Sequence, residues 1–208
     1  MPLYKTLTPN SQTTVKIWKI TESFDVLMNP IKLKDASIQR VSGMKSELHR
    51  RGFLSVRHLL AEFGYNDFDL FYDENGKPHL KDGKHISITH SFEFSAVIVS
   101  DDIIGIDIEK QRDKIGRIAH KFVDYEFDYL KNDDSEYVRK LTAIWCAKES
   151  LYKLFATPGL SFLQHCLVLP FTFQDEETVS WIDFEGEKQR FNVHYLEFEG
   201  FTCAYALK

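Results

Sequence analysis

The sequence predicts an α/β fold, of the α+β type, built from two pseudo-duplicated halves. Each half is expected to be a small, mainly antiparallel sheet packed on a long helix. Three observations favour this fold: short alternating strand patterns, one long stretch of helical periodicity in each half, and the same order of elements in both. We place the boundary between residues 1–101 and 102–208, with a cleft between the halves.

The first half begins with a strand pattern at residues 14–20, where polar and apolar side chains alternate. Apolar residues then recur at helical spacing from about Ser46, and Gly64 stands where a C-terminal cap belongs. This helix also carries His49 and several arginines, which form either a solvated face or an anion-binding edge. A hairpin turn is predicted at residues 73–76, followed by short strands at residues 86–90 and 95–99.

The second half opens with the strand at residues 103–109. A helical region is expected at about residues 116–130, and a long helix from about 135 to 156 stops before Thr157-Pro158-Gly159. Further strands are predicted around residues 166–169, 178–184, 191–198 and 201–207.

The composition is that of an ordinary globular protein, with 43% hydrophobic and 27% charged residues. The net charge of −5 argues against nucleic-acid binding. Three widely spaced cysteines without a CxxC pattern indicate reduced thiols and a cytoplasmic protein. Neither a signal sequence nor an apolar run long enough to span a membrane is present, so we expect no membrane association.

The strand at residues 103–109 ends in two carboxylates that share one face. Asp107 and Glu109 point the same way, whereas Ile106 and Ile108 point to the other side. At about 6.6 Å and an effective dielectric constant of about 20, the two charges repel by about 2.5 kcal/mol. Either water screens the pair on an exposed face, or a cation such as Mg²⁺ lies between them.

The long helix of the second half carries three further charged residues. Glu149 and Lys153 lie four residues apart at the flank of the apolar stripe, and Lys148 lies within it. Taken alone, the helix is explained as well by a surface ion pair together with a snorkelling lysine as by a functional site. A lysine within an apolar stripe nevertheless rarely lacks a partner.

Strand and helix together resemble the paired signature of the 4′-phosphopantetheinyl transferases, most closely the larger, surfactin-type class. That signature is G-I/V-D-x-E followed by W-x-x-K-E-x-x-x-K. Here Gly105 to Glu109 is followed about 35 residues later by Trp145 to Lys153. Weaker matches follow the family order and extend the resemblance over roughly residues 46–165: Gly76-Lys77-Pro78, Thr89-His90-Ser91, Phe122 to Glu126 and Gly159-Leu160-Ser161.

The resemblance implies an enzyme that binds coenzyme A between its halves and moves the phosphopantetheine arm onto a serine of an acyl or peptidyl carrier protein, releasing 3′,5′-ADP. It implies that the N-terminal half contacts the nucleotide end and that the C-terminal half holds the metal and the catalytic residues. The expected roles are Mg²⁺ ligation by Asp107, Glu109 and Glu149, catalysis by Glu149, Lys148 and Lys153, and coenzyme A binding by Arg51, Lys77, Pro78, Thr89, His90 and Lys153. Glu126 is a further candidate, and a monomer is expected because both halves lie in one chain.

The sequence departs from the family pattern in two places. Thr89 stands where the family usually has serine, and Phe92 stands where glycine often follows the histidine. Read alone, His90 is more typical of a turn histidine than of a ligand. Two rival functions remain open: a non-catalytic module that binds the carrier protein or coenzyme A, and a Mg²⁺-dependent phosphohydrolase.

Overall fold

The computed structural model describes residues 3–208, and the chain divides into two compact units. The first ends at Asp102, and the second comprises Ile103–Lys208. Each unit has its own sheet and its own buried apolar cluster.

The first unit is a four-stranded antiparallel sheet covered by a long helix. Its strands are ordered β1-β2-β6-β5, and β3 and β4 form a separate hairpin. Helix α3 packs against β2, β5 and β6. The elements are β1 (Leu3–Asn10), β2 (Thr13–Lys19), α1 (Phe24–Met28), α2 (Asp35–Gly43), α3 (Glu47–Glu62), β3 (Leu70–Tyr72), β4 (Pro78–Leu80), β5 (His85–Ser91) and β6 (Phe94–Ser100).

Helix α3 begins and ends close to the residues predicted from the sequence, Ser46 and Gly64. The Ser46 hydroxyl accepts a hydrogen bond from the backbone N–H of His49, which satisfies one of the unpaired amides of the first turn. Gly64 follows the last turn with φ +85°, a conformation that glycine adopts without steric cost. The apolar side of α3 contributes Leu54, Leu59 and other side chains to the core of this unit.

The second unit is a five-stranded antiparallel sheet with the order β7-β11-β10-β9-β8. Its long helix, α5, packs mainly on β7 and β11. The elements are β7 (Ile104–Lys110), α4 (Ile115–Ile118), α5 (Tyr137–Phe155), α6 (Phe162–His165), β8 (Cys166–Val168), β9 (Glu177–Phe184), β10 (Glu187–Phe198) and β11 (Phe201–Leu207).

The predicted fold class is confirmed: each unit is an antiparallel sheet packed on a long helix. The predicted helical region at residues 116–130 is wrong in extent. Only the four residues of α4 are α-helical there, followed by 3₁₀ turns at Ala119–Lys121 and Tyr125–Asp128. The carbonyl of Phe122 accepts a hydrogen bond from the ammonium of Lys148, and this contact replaces the amide partner that a continuing helix would supply.

Within residues 3–208, none of the helices combines the length and the apolar composition that a membrane crossing requires.

Candidate active site

Strand β7 presents its carboxylates on one face, as its alternation predicts. Ile106 and Ile108 are fully buried on the opposite face. Asp107 is also largely buried, whereas Glu109 is partly exposed. The neighbouring strand β11 holds β7 in register, with Ala204 opposite Asp107.

Gly105 brings β7 into backbone contact with α5. A Cβ atom at this position would lie 1.9 Å from the carbonyl oxygen of Ser150 and 3.0 Å from the amide nitrogen of Leu154. No side chain fits there, so glycine is required for this approach. The Ser150 hydroxyl secures the helix further by donating to the carbonyl oxygens of Cys146 or Ala204, at 2.7 and 2.9 Å.

This close packing places Lys153 of α5 against Asp107. The Lys153 ammonium lies 2.7 Å from Asp107 Oδ1 and donates to the Ile106 carbonyl at 3.0 Å. Burial by itself lowers the pKa of Lys153, but the charge and the hydrogen bond of Asp107 outweigh it, with Glu149 adding to their effect. The net shift is upward, so Lys153 carries a positive charge at neutral pH.

Glu149 completes the group from one helical turn away. Burial, the charge of Asp107 and, to a smaller extent, the charge of Glu109 together raise the pKa of Glu149 to about 7, against the opposing effect of Lys153. The three carboxylates therefore act on one another electrostatically. Lys153 offsets part of this repulsion at Glu149, and a further positive charge would offset more of it.

The three carboxylates are the candidate ligands of a metal ion. As the side chains lie, no group of three or more His, Cys, Asp or Glu residues in the described part of the chain could hold one. The donor chemistry nevertheless fits a hard divalent cation, since carboxylate oxygens are its preferred ligands and a cation offsets their mutual repulsion. In this arrangement the Lys153 ammonium lies against Asp107 Oδ1, where it competes with a metal ion for that oxygen.

Lys148 is directed differently from Glu149 and Lys153. Its side chain is fully buried and forms an ion pair with Glu126 at 2.8 Å. A lysine within the apolar stripe was expected to have a partner. That partner is Glu126, which lies in the 3₁₀ turn at Tyr125–Asp128.

In the first unit, Thr89 and His90 lie at the end of β5, next to the turn into β6. Thr89 is buried, whereas His90 is exposed. The imidazole ring of His90 lies 6.2 Å from that of His49 on α3, measured between ring centroids. Phe92 in the turn adopts φ +50°, the left-handed conformation that the family's glycine would take more readily.

Lys77 and Pro78 lie on the β3–β4 hairpin. Asp73 organises this turn: its Oδ1 accepts from the amides of Asn75 and Lys77, both at 2.9 Å, and its Oδ2 lies 3.0 Å from His79 Nε2. Burial lowers the pKa of the Lys77 ammonium, with the charge of Asp73 opposing it. The Lys77 ammonium is therefore partly desolvated.

The arginines of the first unit differ in their environment. Arg51 is partly exposed and donates from its Nη2 to the carbonyl of Ile20 at 3.0 Å. Arg57 is buried in an ion pair with Asp67, at 3.0 Å. Arg57 thus belongs to the internal structure of the unit, whereas Arg51 reaches its surface.

The sequence reasoning placed Gly52 in the helix and Asp73 in the hairpin turn, but it gave neither residue a part in the site. Gly52 lies in the middle of α3 beside His90, and a glycine inside a helical pattern is a signal of close packing. Asp73 begins the D-x-N-G turn, a pattern in which the aspartate side chain binds amides further along the chain.

Comparison with known proteins gives two matches. Residues 103–206 match a family described as the 4′-phosphopantetheinyl transferase superfamily. The chain is also similar to "4′-phosphopantetheinyl transferase gsp" of Aneurinibacillus migulanus, with 28% identity over 137 residues. That match covers 64% of this chain and 55% of the relative, so the chain spans about half the length of the relative.

Proposed function

Because this chain belongs to the 4′-phosphopantetheinyl transferase superfamily, we propose that it is an enzyme that moves the 4′-phosphopantetheine arm of coenzyme A onto a serine of an acyl or peptidyl carrier protein. The product released is 3′,5′-ADP. The observation that carries this proposal is the grouping of Asp107, Glu149 and Lys153, which lie within the matched residues 103–206.

In the proposed reaction the serine oxygen attacks the phosphorus atom on the pantetheine side of the pyrophosphate. The bond from that phosphorus to the bridging oxygen breaks, and its electron pair leaves on 3′,5′-ADP. The serine proton passes to Glu149, directly or through water. In the metal-free protein the pKa of Glu149 is about 7, so its carboxylate accepts and returns a proton near neutral pH.

The carboxylates with their metal ion, and Lys153, would stabilise the negative charge of the pyrophosphate and of the leaving group. Asp107, Glu109 and Glu149 would hold Mg²⁺, which supplies positive charge to the pyrophosphate. Lys153 stabilises the negative charge that develops on the leaving group, as a fixed ammonium in a partly buried position does effectively.

We assign the nucleotide end of coenzyme A to the first unit. Its contacts would be Arg51, Lys77, Pro78, Thr89 and His90. The ammonium of Lys77 supports this assignment, because an ammonium group forms charge-assisted hydrogen bonds with phosphate oxygens. The structured Asp73 turn would present Lys77 and Pro78 in a fixed geometry.

The test is mass spectrometry of purified apo carrier proteins, one acyl and one peptidyl, incubated with the protein, coenzyme A and Mg²⁺. We expect at least one carrier to gain the mass of one phosphopantetheine group on its serine, with 3′,5′-ADP formed in equal amount. A Ser→Ala carrier is the matched control and should remain unmodified.

The same experiment separates the two rivals. A binding module would leave both carriers unmodified and coenzyme A intact. A phosphohydrolase would consume coenzyme A at the same rate with and without carrier.

We further infer a cytoplasmic monomer that needs no disulfide. Cys146, Cys166 and Cys203 are free thiols buried in the core, which suits a reducing compartment. Both halves of the fold lie in one chain.

A further inference from the structure

The ammonium of Lys148 is fully engaged inside the second unit. It donates to the carbonyl of Phe122 at 2.7 Å and to that of Phe162 at 3.2 Å, and it pairs with Glu126 Oε1 at 2.8 Å. An ammonium group has three N–H donors, and three acceptors surround this one. Its side chain is 0% exposed. A phosphate could reach Lys148 only if these contacts broke.

The carboxylate of Glu126 is equally enclosed. Its Oε1 also accepts from the amide of Val168 at 2.9 Å, and its Oε2 accepts from the amide of Asp124 at 3.3 Å. The ion pair thereby ties α5 to the 3₁₀ turn that holds Glu126, to Phe162 at the start of α6 and to Val168 at the end of β8. Burial lowers the pKa of Lys148, and the charge of Glu126 opposes that shift.

A buried ion pair is a poor source of stability, because desolvation offsets most of the attraction. It is, however, highly directional, since each partner binds backbone groups of fixed position. Lys148 and Glu149 are consecutive on α5, so their side chains leave the helix about 100° apart. Fixing Lys148 inward therefore fixes the direction in which Glu149 projects.

We propose that Lys148 and Glu126 are positioning residues that set the orientation of Glu149, in place of the direct catalytic role that the family resemblance implies for Lys148. This inference rests on the proposed transfer reaction. It also gives Glu126 a role, which the sequence left open.

The decisive experiment is a cycle of Lys148→Met, Glu126→Gln and the double variant. Lys148→Met leaves the Glu126 carboxylate buried without its lysine, so Tm should fall and kcat of the folded protein should drop about tenfold or more. In the double variant the neutral amide of Gln can accept from Val168 and donate to the nearby carbonyls. We expect it to recover most of the lost Tm and to return kcat to within about threefold of the wild type.

Two variants on the same helix serve as controls. Lys140→Met removes a partly buried lysine that pairs with Asp134 and Glu136, and it should leave transfer unchanged. Lys153→Met should remain impaired whether or not Glu126 is replaced. A double variant that regains its Tm but stays as inactive as Lys148→Met would overturn the positioning role.

Amine labelling supplies a readout that does not depend on any variant. With an acetylating reagent and the wild-type protein, Lys148 should stay unmodified both with and without coenzyme A. Labelling of Lys148 that coenzyme A suppresses would show a ligand contact and overturn the proposal.

If the wild type transfers no phosphopantetheine at all, the proposed function fails and the positioning role fails with it. An active wild type with an inactive double variant refutes the positioning role alone.

Discussion

Gly52 lies directly against the imidazole of His90. A Cβ atom on Gly52 would be 3.1 Å from both Cγ and Nδ1 of the ring and 3.5 Å from Cδ2. Glycine in the middle of a helix costs about 0.5 to 1 kcal/mol of stability relative to alanine. Gly52 therefore leaves space for the imidazole ring of His90, and this lowers the stability of helix α3.

We predict that Gly52→Ala keeps or raises Tm, because alanine is the better helix former, but displaces His90 by a few tenths of an ångström. If His90 binds the 3′-phosphate of coenzyme A, the KM for coenzyme A should rise by up to about tenfold with kcat little changed. Dephospho-coenzyme A lacks that phosphate, so its kcat/KM should change less. Steady-state kinetics with both substrates checks this.

Gly43→Ala is the matched control, because Gly43 is also helical and a Cβ there would have no neighbour within 4 Å. Its kinetics should equal those of the wild type. His90→Ala should remove the effect of Gly52→Ala on the ratio of the two substrates. If Gly52→Ala leaves that ratio unchanged in the wild-type background, then the ring of His90 does not read the 3′-phosphate.

Replacing Gly105 should be more destabilising than replacing Gly52. A Cβ on Gly105 would meet backbone atoms of α5, which cannot rotate away as a side chain can. We predict that Gly105→Ala lowers the free energy of unfolding by about 3 kcal/mol or more, since β7 and α5 must separate to admit the methyl group. Urea denaturation measures the loss. Gly116→Ala is the control, since its Cβ would meet Tyr137 Cε1 at an ordinary 3.9 Å. Equal stability of Gly105→Ala and the wild type would refute the close approach.

The long elements could be predicted because local signals define them. Helix α3 has a capping serine at one end and Gly64 at the other, and β7 shows an unbroken apolar run before its carboxylates. Strand β1 was not predicted, since it lies at the sheet edge with most side chains exposed and needs no apolar alternation.

The site could be predicted in part for the same reason. Glu149 and Lys153 are neighbours by helical spacing, so their proximity follows from the sequence. The apolar stripe also indicated that Lys148 needs a partner. The identity of that partner did not follow, because Glu126 is 22 residues away in the chain and reaches Lys148 through a 3₁₀ turn. Non-local contacts of this kind leave no periodic signal.

Lys153 is expected to serve both the charge balance of the site and the reaction. We predict that Lys153→Met lowers kcat/KM for transfer by about a hundredfold or more, because the fixed ammonium is lost. The variant also leaves the buried Asp107 carboxylate without this lysine, so the free energy of unfolding in metal-free buffer should fall by about 1 to 3 kcal/mol. Transfer assays and urea denaturation measure the two effects, and Lys140→Met is again the control.

The same variant tests whether a cation can take the place of the ammonium. In Lys153→Met, Mg²⁺ should raise Tm more than it does in the wild type, because Lys153 no longer competes for Asp107. Thermal denaturation over a series of Mg²⁺ concentrations measures the difference. A Tm that is independent of Mg²⁺ in both proteins would contradict metal binding at these carboxylates.

The carboxylate group also makes stability depend on pH. The pKa of Glu149 is raised to about 7 from an ordinary value of 4.5, chiefly by burial and by Asp107. Between these two values the folded protein holds a proton that the unfolded chain has released. Folding is therefore progressively disfavoured as the pH rises from about 4.5 to about 7, and the loss is complete above that range.

We predict that Glu149→Gln removes this dependence. In metal-free buffer with a chelator, the variant should be more stable than the wild type by about 2 kcal/mol at pH 8, because the neutral amide is not repelled by Asp107 and Glu109. The difference should shrink as the pH falls toward 4.5, where the wild-type carboxyl is protonated in the folded state. Urea denaturation from pH 5 to 8.5 measures it. A stability difference that stays constant over this range would show that Glu149 does not titrate near neutral pH, and the role of Glu149 as proton acceptor would lose its electrostatic basis.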